Sequence, residues 1–81
     1  MTSIQPNPSY TIKVLGEIDP DWLKWFGIKD CHIRKDPDNP KLCIISGIQI
    51  DQSGLIDLIR QMNGLGITIE TIQKENKMKT R

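Results

Sequence analysis

Aromatic side chains are scarce in this chain: one Tyr, one Phe and two Trp among 81 residues. Histidine is scarcer, with His32 alone, and cysteine is limited to Cys31 and Cys43. Each shortage closes off a class of chemistry. A lone imidazole on an outward strand position supplies no nucleophile–base pair for covalent catalysis, so the chain is not expected to be an enzyme. Two thiols cannot form the framework of a disulfide scaffold, and they suit the reducing cytoplasm. Cys31, His32 and Cys43 lack both a Cys-x2-Cys pair and the fourth ligand of a zinc site, so no metal is expected there. Asp36, Asp38 and Asn39 lack the glycine and the bidentate acid of a calcium loop. The glycines fall where bends and stops are needed, not in a phosphate-cradling loop, and no cofactor is expected. No apolar run is long enough to span a bilayer. Residues 1–9 lack the basic stretch and apolar core of a secretion signal.

Charge is balanced overall, at +1, but not along the chain. Residues 10–72 carry seven Lys/Arg against nine Asp/Glu, whereas residues 74–81 carry four basic residues against Glu75. The expected organisation is a flexible lead over residues 1–9, one domain over residues 10–73, and a disordered basic tail over residues 74–81.

The most regular stretch is residues 51–66. Leu55, Leu58, Ile59 and Met62 recur at i, i+3, i+4 and i+7, which predicts an amphipathic helix. Asp51 is placed to cap its N-terminus, and Asn63-Gly64 to end it. Gly54 weakens its first turn by about 1 kcal/mol relative to Ala. So short a helix needs a surface to pack on.

The rest of the chain supplies one. Residues 10–15 alternate as a strand, with Tyr10, Ile12 and Val14 on one face. Asp19 caps a short helix over residues 20–26, with Pro20 at its first position and Gly27 as its stop. Trp22, Trp25 and Phe26 then predict a single buried aromatic stripe. Residues 29–35 and 42–50 read as two strands joined through the turn-forming run Asp36-Pro37-Asp38-Asn39-Pro40. In the second of these, Leu42, Ile44, Ile48 and Ile50 share one face, interrupted by Ser46. Residues 67–73 form a last strand, with Ile67 and Ile69 facing inward.

This order predicts an α+β domain of the ferredoxin-like split βαββαβ kind, a four-stranded antiparallel sheet with one short and one long helix on one face. The alternative is an antiparallel meander followed by a single helical crossover, because the first connection is short.

Gly16, Ile18, Asp19, Trp22, Trp25 and Phe26, together with Asp51-Gln52, Leu55 and Leu65-Gly66, resemble a family of small bacterial proteins with no assigned activity. The resemblance covers residues 10–72. It departs at the longer, Pro-rich hairpin over residues 35–41 and at Gly54. It implies a compact α+β domain and carries no catalytic residue.

Assigning the inward positions leaves Leu15, Cys43, Ile45 and Ile72 for the open face of the sheet. Four apolar residues from three adjacent strands predict an interface, with a second copy or another protein as partner. On this assignment Cys31 and Cys43 lie on opposite faces, which disfavours a disulfide. The open face offers no aromatic platform for bases, so nucleic acid is not expected. A membrane partner is not expected either. The two functional readings are therefore a non-catalytic interaction or regulatory module, and a small-molecule sensor with its pocket at Trp22, Trp25 and Phe26.

Overall fold

The alternation of Tyr10, Ile12 and Val14 forms the centre of a sheet in the computed structural model, which describes residues 8–75. The expected lead and tail lie outside those residues except at their inner ends. There Ser9 opens the first strand and Lys74 closes the last. In chain order the elements are β1 (Ser9–Leu15), α1 (Pro20–Lys24), β2 (His32–Lys35), β3 (Leu42–Gln49), α2 (Gln52–Gly64) and β4 (Thr68–Lys74). The strands lie in the order β2-β3-β1-β4, and each neighbouring pair is antiparallel. The protein is thus α+β, with an open four-stranded antiparallel sheet and two helices.

Local chemistry sets the helix ends. The Asp19 carboxylate accepts from the Asp21 N–H at 3.0 Å, with Pro20 at the first helical position. The Asp51 carboxylate accepts from the Gly54 N–H at 2.7 Å. The stop of α2 is not Gly64 but Gly66, whose φ of +80° only glycine adopts at low cost. The Ile67 N–H then donates to the Met62 carbonyl and the Gly66 N–H to the Asn63 carbonyl. This crossed pair satisfies carbonyls that the helix end would leave unpaired. In the β2–β3 turn, the Asp36 carboxylate accepts from the Asp38 N–H and the Asn39 side chain from the Lys41 N–H.

Two β-bulges set which side chains face the helices. Tyr10 pairs with Ile48 and Ile12 with Ile45, so β3 spends two residues, Ser46 and Gly47, opposite Thr11. On β4, Lys13 pairs with Thr71 and Val14 with Ile69, which leaves Glu70 as the extra residue. An extra residue inverts the alternation beyond it. Ile12, Val14, Cys43, Ile45 and Ile48 consequently share one face. They form the core with Ile18, Leu23, Ile28, Leu55, Leu58 and Met62. Leu42 and Ile44, expected beneath the helices, pair with Leu15 and Lys13 on the opposite face. The interruption at Ser46 was the visible sign of this switch. One rung carries isoleucine on all four strands: Ile33, Ile45, Ile12 and Ile72.

The buried residue of α1 is Leu23, not an aromatic. Trp22 and Phe26 flank it, half-buried, while Trp25 lies about 200° around the helix from Leu23 and is 89% exposed. The expected stripe is therefore rotated so that its third ring faces solvent.

Candidate functional site

Of the four residues expected on the open face, only Leu15 is there. Cys43 and Ile45 belong to the core beneath the helices. Ile72 pairs with Ile12 and so projects on the helix side, at the outer edge of β4. The open face itself carries Thr11, Lys13, Leu15, His32, Arg34, Leu42, Ile44 and Ser46 in register, with no Phe, Tyr or Trp among them. Lys13 and Asp36 form an ion pair of 3.1 Å there, Lys13 being the cross-strand partner of Ile44. Asp36 is held below the ordinary carboxylate value, first by the Asp38 N–H and then by Lys13.

The aromatic trio is not gathered on one buried face, since Trp25 is exposed while Trp22 and Phe26 are half-buried. Trp22 and Phe26 make an edge-to-face contact, with ring centroids 5.0 Å apart at 62°. The cavity beside α1, of about 260 Å³, is lined by Pro20, Lys24, Ile28, Lys29, Cys31 and Ile33.

Cys31 and Cys43 are both free thiols, and burial is the main reason that each titrates above its usual range. They share the helix side of the sheet, so the expectation of opposite faces fails through the same β3 bulge. They are still far from bridging. Cys43 pairs with Lys35, four residues along the chain from Cys31, and Cys31 lies against Gly47. His32 is exposed on the other face. Among the described residues, no three His, Cys, Asp or Glu side chains gather as a metal site.

Two further surfaces carry apolar side chains. The first is a groove of about 660 Å³ where β1, β2 and β3 meet the hairpin. Leu15, Ile33, Pro40 and Cys43 supply apolar lining, and Glu17, Arg34, Lys35 and Lys41 supply charge. The Gly16 N–H donates to the Lys41 carbonyl and ties the end of β1 to the turn. The second surface is the seam between α2 and β4. Ile59, Asn63, Ile67 and Ile69 line a shallow depression there, of about 470 Å³. Ile56 stands on the side of α2 shared by Ile59 and Asn63, at spacings of three and seven residues.

A family model spans residues 9–73 of the chain. The chain belongs to the domain of unknown function DUF8691. This DUF8691 unit opens with the first residue of β1 and closes one residue before the end of β4, so it takes in all six elements except Lys74. The groove and the α2–β4 seam both lie inside it. No curated protein and no solved structure matches the chain. No helix among the described residues is long and apolar enough to cross a membrane.

Sequence reasoning named Leu15 and Cys43 for a different reason and missed the rest of the groove. Glu17, Ile33, Lys35, Pro40 and Lys41 come from three separate stretches. Only the pairings of Leu15 with Leu42 and of Cys43 with Lys35 bring those stretches together. The one signal in the sequence was the break in alternation at Ser46-Gly47.

Proposed function

We propose that this domain is a small non-catalytic interaction module that associates with a second copy of the chain along the α2–β4 seam. The observation that carries the reading is the row of isoleucines beside an edge strand. Ile59, Ile67 and Ile69 are half-buried, while Ile56 and Ile72 are 44% and 39% exposed. Apolar surface continuous across a helix and a strand is typical of interfaces. Among the described residues, β4 has a strand partner on one side only. The two edges of the sheet also differ. β2 is four residues long and presents Arg34 and Lys35, the short cationic edge that discourages pairing. β4 is seven residues long, with Glu70 and Lys74 as its only charges.

The strand order with three antiparallel pairs supports a ferredoxin-like split βαββαβ topology, in which α1 is reduced to five residues. Two free thiols support a reducing, cytoplasmic setting. The placement of exposed His32 on the face away from both thiols supports the non-catalytic reading.

Light scattering at tens of micromolar tests the proposal. The expected result is a dimer that Ile72→Lys converts to a folded monomer, with an unchanged far-UV circular dichroism spectrum and a melting temperature lowered only by the loss of association. A wild-type monomer at that concentration overturns self-association. A small-molecule sensor is the second reading, and the groove at the other end of the sheet is what favours it.

A further inference from the structure

The groove between the hairpin and the end of β1 combines an apolar lining with an excess of positive charge. Its volume of about 660 Å³ suits a small molecule. Three walls enclose it: the turn at Gly16-Glu17, the end of β2, and the hairpin at Pro40-Lys41. Glu17 is the sole acid of the lining, against Arg34, Lys35 and Lys41. Lys35 Nζ lies 3.8 Å from Glu17 Oε2, and both side chains are largely exposed. Such a pair contributes little and is readily exchanged. Arg34 and Lys41 form no ion pair with any described residue. Cys43 shares this lining, and the charges of Lys35 and Glu17 act on its thiol in opposite directions.

We propose that this groove binds a small molecule with an apolar body and one carboxylate. The body lies against Leu15, Ile33 and Pro40, and the carboxylate takes the place of Glu17 on Lys35, with Lys41 adding to the attraction. The competing explanation is that the cations serve only to keep the short edge strand β2 from pairing. That explanation predicts no preference for an anionic ligand over a neutral one. The proposal is independent of association along α2–β4, which light scattering reads separately.

The test titrates the isotope-labelled full chain with octanoate and, separately, with 1-octanol, following amide shifts by NMR. Octanoate is expected to give saturable shifts at Leu15, Ile33, Lys35 and Lys41, and to bind about fivefold more tightly than octanol. Glu17→Gln is expected to tighten octanoate severalfold and leave octanol unchanged. Lys35→Gln with Lys41→Gln is expected to reduce octanoate to the affinity of octanol. These side chains lie outside the core, and the dispersion of each spectrum confirms folding. Equal affinity for the two ligands overturns the proposal. So does the absence of saturable shifts, or shifts centred on α2 and β4.

Discussion

The carboxylate of Glu75 accepts a hydrogen bond from the Gly47 N–H at 2.9 Å, reaching across the central strand from the end of β4 to the bulge of β3. The Thr11 hydroxyl donates to the same oxygen. Glu75 thus takes up a donor that the bulge withdraws from the ladder, and Thr11 is the β1 residue opposite that bulge.

Glu75→Ala is expected to cost about 1–3 kcal/mol, the range for a hydrogen bond to a charged group and for a donor left unpaired. Gly47→Ala is expected to cost about 1–2 kcal/mol for a different reason. A φ of +73° strains a residue with a Cβ, although the space around it is open enough. Urea unfolding checks both. An unchanged midpoint for Glu75→Ala contradicts a stabilising role for its hydrogen bonds to Gly47 and Thr11.

Asp36 gives stability a pH dependence with a definite sign. Its folded value lies below the ordinary one, so its contribution is fully present above the ordinary carboxylate range. It is lost as pH falls through the folded value. Asp36→Asn should therefore be less stable than the wild type at pH 7. The gap should narrow steadily below about pH 4. Urea midpoints of both proteins from pH 7 to pH 2 measure it, and a constant gap excludes this role for the Lys13–Asp36 pair.

Gly54→Ala should fail to stabilise the protein despite improving helix propensity. An added Cβ would lie 2.6 Å from Ile50 Cγ1 and 3.0 Å from the capping oxygen of Asp51. Overpacking costs about 1–3 kcal/mol, whereas propensity returns about 1 kcal/mol. A raised melting temperature would show that Ile50 moves aside freely.

Leu58 and Ile59 look equivalent by spacing, yet Leu58 is fully buried and Ile59 is half-buried at the seam. Leu58→Ala is expected to cost about 2–5 kcal/mol, and Ile59→Ala clearly less. Equal losses in chemical denaturation would contradict the difference in burial between the two side chains.

The sequence by itself determined the six elements, because their causes are local. Alternation at Tyr10, Ile12 and Val14, the caps Asp19 and Asp51, and the stop at Gly27 each act within a few residues. The turn chemistry of Asp36 and Asn39 is local too, and each of these features appears in the structure. Only the tertiary structure decided which face each side chain takes. A bulge forms because pairing with β1 is better with one residue left over; the break at Ser46-Gly47 marks it in β3, and no residue of β4 does so. One residue at Gly47 and one at Glu70 moved Cys43, Ile45 and Ile72 off the open face. Packing around Leu23 likewise turned Trp25 outward, since a helix of five residues takes its orientation from what it docks against.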